Sequence, residues 1–169
     1  LATQDDIFTN EVGPAGQFGT GIPKFAPGSK LVRRNGDGSL FVYATPGLVD
    51  LQSPDVNFAG TKIVFAGATT LIADTNDSGW RLYEINVDGS GFRQLTHSDR
   101  TFAIPNAARF FNQRAYGTYN DLFPAYLADG RIVFSSSRYP ARAHYDERRS
   151  YNLYVIEADG SEKDLTPGD

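Results

Sequence analysis

The chain contains no cysteine and no methionine, and its 169 residues include only two histidines and one tryptophan. Without cysteine there can be no disulfide, no thiolate metal site, no thiol catalysis and no haem attached through cysteine. A chain without cysteine suits an oxidising compartment as well as a reducing one. This absence therefore excludes several kinds of chemistry but does not indicate a location.

Long apolar stretches are missing as well. No run approaches the roughly 20 apolar residues that a membrane-spanning helix needs, so we expect a soluble chain without membrane insertion. The sequence starts at Leu1 and shows neither the basic region nor the apolar region of a signal peptide. We therefore expect a mature form or an excerpt of a longer polypeptide.

Charge is distributed unevenly along the chain, whose net charge is −4. Residues 100–149 carry eight arginines against four acidic residues, which leaves the excess of negative charge on the remainder. Arginines in such a segment usually pair with an acidic surface or stay in solvent. Because phosphate contacts need a broad positive face, a pI of about 5.1 predicts no nucleic-acid partner.

The feature around which the chain is organised is an internal repeat. The sequence LYEINVDGSGFRQLT, which ends at Thr96, recurs near the C-terminus as LYVIEADGSEKDLT, which ends at Thr166. In each copy an alternating apolar stretch leads into Asp-Gly, which favours a tight hairpin turn. A third hairpin is predicted where two apolar stretches flank the sequence NGDGS at residues 35–39.

Each complete repeat has the length of one propeller blade. The repeats span 55–96 and 124–166, and a period of roughly 40–45 residues is typical of a four-stranded blade. Within each, the order of signals is a short strand, a glycine turn, an apolar inner strand and the hairpin. The short strands are predicted at 56–58 and 125–127 and the inner strands at 63–65 and 132–134.

We therefore predict an all-β fold, a partial β-propeller of four-stranded blades with two complete blades and one partial blade. A single blade has two apolar faces that only neighbouring blades can cover, which is why propellers close into rings. The predicted organisation is an extended lead-in at 1–30 and blades over 31–169, divided into a partial blade at 31–52, a blade at 53–96, an insertion at 97–123 and a blade at 124–166.

Two insertions are the expected contact surfaces, because long insertions on a rigid scaffold often carry function. The insertion at 97–123 is rich in aromatic residues and arginine, and Asn106 is predicted to cap a short helix there. Its aromatic rings could instead cover an open blade face. The insertion at 138–150 is polar and charged, and could be only a solvated loop. The predicted binding residues are Phe110, Phe111, Arg109, Arg114, Tyr116, Arg138, Arg142, His144 and Arg148.

Residues suited to catalysis are scarce. The three serines at 135–137 lack the Gly-x-Ser-x-Gly elbow of a serine hydrolase, and His97 and His144 are the only histidines. We therefore favour a protein that is not an enzyme and that needs no cofactor. Asp74, Asn76 and Ser78 have the spacing of a calcium loop, but its twelfth-position carboxylate is missing, so an ordinary polar turn is the favoured interpretation and weak calcium binding the alternative.

The sequence DGRIVFSSSR at 129–138, followed by LYVIEADGS and a final Leu-Thr, resembles the propeller repeats of the TolB family. The segment 55–96 resembles them equally, so that the resemblance covers about half the chain. It implies a periplasmic or secreted docking platform whose partner is a protein or another domain of the parent chain. Similar repeats occur as non-catalytic domains of larger enzymes, including peptidases and the hydrazine synthase alpha subunit. The open alternatives are thus an accessory domain of a larger exported enzyme and a propeller that binds a small molecule or a metal.

Overall fold

A computed structural model of the chain describes residues 28–70, 79–97, 119–139 and 151–161. These ranges contain no helix, and hence none long and apolar enough to cross a membrane. They form nine β-strands: β1 (Val32–Arg34), β2 (Leu40–Val42), β3 (Asp50–Val56), β4 (Lys62–Ala68), β5 (Arg81–Asn86), β6 (Arg93–Gln94), β7 (Asp121–Tyr126), β8 (Ile132–Ser136) and β9 (Asn152–Ile156).

The strands form three antiparallel sheets in which neighbours in sequence are neighbours in space. Strands β1 and β2 make a two-stranded sheet, β3 to β6 a four-stranded sheet and β7 to β9 a three-stranded sheet. We call them blades 1, 2 and 3. The all-β partial propeller predicted from the repeat is confirmed. The lead-in up to residue 27, the predicted short helix and the residues after 161 lie outside the described part of the chain.

The turns of the three predicted hairpins form as the sequence predicts, and the strand expected after the third turn lies outside the described residues. Gly89 and Gly160 have φ values of 91° and 90°, which a glycine adopts without strain. Each turn also lies close to the preceding blade, since a Cβ on Gly89 would come within 3.0 Å of the Phe41 ring and one on Gly160 within 3.1 Å of the Leu95 carbonyl oxygen. Glycine is therefore required here both for the turn and for the approach of neighbouring blades.

The first strand of each repeat starts earlier than predicted. Strand β3 begins at Asp50 and β7 at Asp121, whereas the sequence indicated strands from residues 56 and 125. In both strands the pairing register shifts at a β-bulge. The residue before the proline in each bulge has a positive φ, 52° at Ser53 and 53° at Phe123. The bulge accommodates a proline that would otherwise argue against a strand.

Blade 2 is packed on both faces. Its face towards blade 1 contributes Ile63, Phe65, Tyr83 and Ile85 to one apolar cluster. The opposite face contributes to a second cluster that blade 3 completes, and its buried members from both blades are Val64, Ala66, Ala68, Trp80, Leu82, Leu95, Leu122, Tyr126, Ile132, Phe134, Tyr154 and Ile156. The inner strand of blade 2 is therefore buried on both sides, as predicted.

Blade 3 is packed on one face only in the described part of the chain. Ile132 and Phe134 point into the cluster shared with blade 2, while Val133 between them is only half-buried. On the same open face Leu153 is 73% exposed. The inner strand is thus buried on both faces in blade 2, as predicted, whereas in blade 3 no described residue covers the second face.

Arginines join successive blades at the hairpin turns. Arg33 of blade 1 donates a hydrogen bond of 2.7 Å to the Val87 carbonyl of blade 2. Arg93 of blade 2 donates in the same way to the carbonyls of Ala158, at 2.7 Å, and Asp159 in blade 3. Val87 and Ala158 occupy the same position in the two turns. The stack is therefore held by a repeated polar contact as well as by its apolar faces.

Candidate functional site

The two ends of the blades differ. At one end, which we call the turn end, short turns join the strands of each hairpin. At the other end, the insertion end, the described chain is interrupted at 71–78, 98–118 and 140–150. Antiparallel pairing fixes this arrangement, because Asp50 is paired with Ala68 and Asp121 with Ser136. The residues flanking all three segments therefore lie at one end of the stack.

Asn120 is the centre of a hydrogen-bond network at the insertion end. It is fully buried, and its side-chain oxygen accepts from the backbone N–H groups of Gly79, at 2.9 Å, and Trp80, at 3.3 Å. Its side-chain nitrogen donates to the Tyr151 hydroxyl at 3.2 Å. Its backbone exchanges two further bonds with Ser137. One side chain thus connects residues that flank the segments 71–78, 98–118 and 140–150.

Tyr119 lies beside Asn120 and joins the network through its ring and its hydroxyl. The hydroxyl donates to the His97 carbonyl at 2.6 Å, which bridges the two ends of the 98–118 segment. The guanidinium of Arg81 lies 4.1 Å from the centre of the Tyr119 ring and donates to the carbonyls of Trp80 and Tyr119. A cation over an aromatic ring is attractive, so the buried Arg81 fixes Tyr119 in place.

Arg138 and Asp121 form a buried ion pair in blade 3. Their N–O distance is 3.3 Å, and their side chains are 7% and 0% exposed. Ser136 donates to the same carboxylate oxygen at 2.6 Å and accepts from the guanidinium. The guanidinium also lies about 5 Å from the ring centres of Phe134 and Tyr154. Breaking such a pair is costly, because the remaining charge stays buried.

Of the predicted binding residues, only Arg138 lies in the described part of the chain. It was predicted as a contact residue of the insertion at 138–150, and its side chain is buried and contacts Asp121 and three aromatic rings. Its interior position makes it part of the base of the insertion end. The remaining predicted binding residues lie outside the described residues: Phe110, Phe111, Arg109, Arg114, Tyr116, Arg142, His144 and Arg148.

The calcium interpretation also concerns residues outside the described ranges, namely Asp74, Asn76 and Ser78. Within the described ranges no group of three or more His, Cys, Asp or Glu side chains could hold a metal ion. Calcium binding therefore stays a prediction, and a calcium titration followed by thermal melting tests it.

A second polar centre lies between blades 2 and 3, around Glu84. Arg93 and Lys62 donate to one oxygen of this carboxylate at 2.7 and 3.1 Å, and the Tyr126 hydroxyl donates to the other at 2.9 Å. Burial raises the pKa of Glu84, but these hydrogen bonds outweigh it and hold the pKa below its ordinary value of 4.5. Burial, and then the bond to Glu84, raise the pKa of Tyr126. The pair therefore stays Glu84 carboxylate and Tyr126 phenol at neutral pH.

Four residues at the insertion end, on which the flanks of the three segments rest, were not predicted from the sequence: Arg81, Tyr119, Asn120 and Asp121. A weak signal was present, because Arg81 interrupts an apolar stretch directly after Trp80 and polar residues precede β7. Arg81 lies just before the recurring stretch that begins at Leu82, and the residues before β7 lie outside both repeats. The sequence pattern therefore does not indicate that they contact each other.

The fold is similar to two solved structures. A putative TolB from Agrobacterium tumefaciens matches with a TM-score of 0.50 and 20% identity, over 79% of this chain and 39% of that chain. Kuenenia stuttgartiensis hydrazine synthase matches with a TM-score of 0.52 and 21% identity, over 76% of this chain and 17% of that one. The chain thus spans well under half of either protein.

No protein-family model and no curated protein matches the sequence. Both structural neighbours contain β-propellers. At this level of identity the likeness concerns the fold alone, and it agrees with the blade order, the stacked faces and the repeated turns described above. The chain is a segment of a β-propeller that resembles the TolB-like type.

Proposed function

We propose that the chain is a binding or scaffolding module that docks a protein partner at its insertion end and catalyses no reaction. The observation that carries the proposal is the convergence of Gly79, His97, Tyr119 and Tyr151 on one buried network. These residues flank the segments 71–78, 98–118 and 140–150, and the last two contain eight of the nine binding residues predicted from the sequence. A rigid base beneath long segments is the usual arrangement for binding loops on a scaffold.

The contact chemistry follows from the composition of the 98–118 segment. Phe110 and Phe111 would supply apolar anchors, and Arg109 and Arg114 would supply hydrogen bonds and charge. Aromatic residues and arginine are the types most enriched where binding energy is concentrated in protein interfaces. The alternative role of these rings is to cover an open blade face, and the experiment must separate the two.

The test is capture of partners from an extract of the source organism by three immobilised chains. The first is the unchanged chain, the second carries Phe110→Ala, Phe111→Ala and Arg114→Ala, and the third carries Phe58→Ala. Phe58 is 78% exposed in a turn at the opposite end and serves as a matched apolar control. We expect a specific protein that the unchanged and the Phe58 chains retain and the triple variant loses.

Thermal melting of the same chains decides between docking and covering. A triple variant that melts with the unchanged chain but loses the partner supports docking. A triple variant that melts much earlier supports the covering role and contradicts the proposal. Equal loss of the partner in the Phe58 variant would place the contact at the turn end instead.

An accessory domain of a larger exported enzyme is the second candidate. It is favoured by the likeness to hydrazine synthase, of which the matched part is 17%. In that case the partner of the insertion end is another domain of the same polypeptide. The length of the parent gene separates the candidates, since a catalytic domain encoded beside this segment favours the second.

Export to the periplasm or the cell exterior is part of the same proposal. It is supported by the likeness to a putative TolB. Fractionation of the source cells, with detection by an antibody to this chain, tests it. Recovery in the cytoplasmic fraction alone would contradict it.

A further inference from the structure

Asn120 differs in one respect from the other side chains that close loops in the described part of the chain. Asn57 also accepts two backbone N–H groups, from Thr61 at 2.8 Å and Lys62 at 3.0 Å, but both belong to its own turn. Asn120 accepts from Gly79 and Trp80, about forty residues away. Its bonds therefore join separate parts of the chain rather than shape a local turn.

We propose that Asn120 is the positioning residue of the insertion end, and that it makes the residues flanking the segments 71–78, 98–118 and 140–150 behave as one unit. The side chain provides both kinds of bond that this requires. Its oxygen holds Gly79 and Trp80, and its nitrogen holds Tyr151. The amide carries its acceptor oxygen and its donor nitrogen on separate atoms of one plane, whereas an ionised carboxylate has no donor and a hydroxyl must use a single atom for both kinds of bond.

The complete burial of Asn120 gives these bonds their strength. In a buried site a lost partner leaves a donor or an acceptor without water to replace it, so the local backbone opens more often. Arg81 and Tyr119 add a second connection, because the guanidinium holds the Tyr119 carbonyl and the Tyr119 hydroxyl holds His97. Asn120 thus connects the residues that flank one segment, Gly79 and Trp80, with the residue that follows another, Tyr151.

The inference rests on the proposed function for its biological meaning, but its test does not need a partner. Amide hydrogen exchange of the 169-residue chain is measured for Asn120→Ala and for the matched control Asn57→Ala. In Asn120→Ala we expect the amides of Gly79 and Trp80 to exchange at least about fivefold faster, which corresponds to the loss of one hydrogen bond. The rates are taken relative to the amides of Val64 and Phe65 in β4. In Asn57→Ala these amides should exchange as in the unchanged chain.

A milder variant, Tyr151→Phe, keeps the test decisive if Asn120→Ala does not fold. It removes the hydroxyl that accepts from Asn120 and nothing else. We expect the amides of Tyr151 and Asn152, at the start of β9, to exchange faster than in the unchanged chain relative to Val133 in β8, with exchange at Gly130 at the turn end unaltered. Unaltered exchange at Tyr151 and Asn152 would overturn the role of Asn120 in holding the residues that follow the 140–150 segment.

The outcomes separate the inference from the proposed function. Unchanged exchange at Gly79 and Trp80 in a folded Asn120→Ala chain overturns the positioning role, whatever the chain captures. Faster exchange together with loss of the captured partner supports both. Faster exchange with full capture supports the positioning role and contradicts docking at the insertion end.

Discussion

Blades 2 and 3 are two copies of one repeat, and they differ most in what covers them. Both have the bulge before a proline, the apolar inner strand and the Asp-Gly-Ser turn. Leu82 and Leu153 occupy the same position, since they pair with Ala66 and Ser135 in the two sheets. Leu82 is fully buried and Leu153 is 73% exposed. Burial of a blade face is therefore decided by the neighbouring blade and not by the repeat itself.

The two copies also differ where they carry charge. Glu84 in blade 2 corresponds to Val155 in blade 3, and Asp121 in blade 3 corresponds to Leu51 in blade 2. Each blade thus has one buried carboxylate at a position where the other has an apolar residue. Both carboxylates have cationic partners, Arg93 in one case and Arg138 in the other. Because of these departures from the repeat, we expect charge removal to lower the free energy of unfolding by different amounts in the two blades.

Removal of the Arg138 charge should give the largest loss of stability. Arg138→Met leaves the Asp121 carboxylate buried without its cation, so we expect the free energy of unfolding to fall by about 4 kcal/mol. Urea unfolding followed by fluorescence of Trp80, the only tryptophan, measures the change. The double variant with Asp121→Asn should recover part of the loss. Equal losses in the single and double variants would show that the ion pair is not the cause.

The paired leucines test the difference in burial directly. Leu82→Ala should lower the free energy of unfolding by about 3 kcal/mol, because it removes buried methyl groups and leaves a cavity. Leu153→Ala should change it by less than about 0.5 kcal/mol, as expected for an exposed position. Both are measured by the same urea titration. A similar cost at the two positions would mean that the open face of blade 3 is covered in solution.

The regular features that blades 2 and 3 share are the ones that could be predicted from the sequence. The hairpin turns and inner strands were predictable because the same apolar alternation and the same Asp-Gly turn occur twice, in the stretches that begin at Leu82 and Leu153. The early starts of β3 and β7 were not, because Pro54 and Pro124 resemble strand breakers until a bulge accommodates them. The repeat predicts regular strands and turns, whereas the starts of β3 and β7 depend on a β-bulge that the sequence pattern does not indicate.

The base of the insertion end could not be predicted for a related reason. Arg138 has the sequence context of a solvated loop, and only the fold brings it to Asp121, seventeen residues earlier in the chain. Asn120 likewise acts on Gly79 and Trp80 through a contact across two blades. Such contacts have no period in the sequence, whereas the apolar faces do.

The charge in blade 2 gives an effect that is smaller than those at Arg138 and Leu82 and that depends on pH. Glu84→Gln should lower the free energy of unfolding at pH 7 by about 2 kcal/mol, less than for Arg138, because Arg93 and Lys62 stay partly hydrated. The folded pKa of Glu84 lies below its ordinary value of 4.5. The carboxylate therefore contributes stability above that value and loses the contribution as the pH falls through the folded pKa.

The difference in stability between the unchanged chain and Glu84→Gln should accordingly be constant from pH 7 to about 5 and shrink below pH 4.5. Urea titrations at a series of pH values measure it. Glu157→Gln removes the same charge from a turn of blade 3 and controls for the change in net charge. A difference that grows in acid would reverse the sign and mean that burial, rather than the bonds from Arg93, Lys62 and Tyr126, determines the pKa of Glu84.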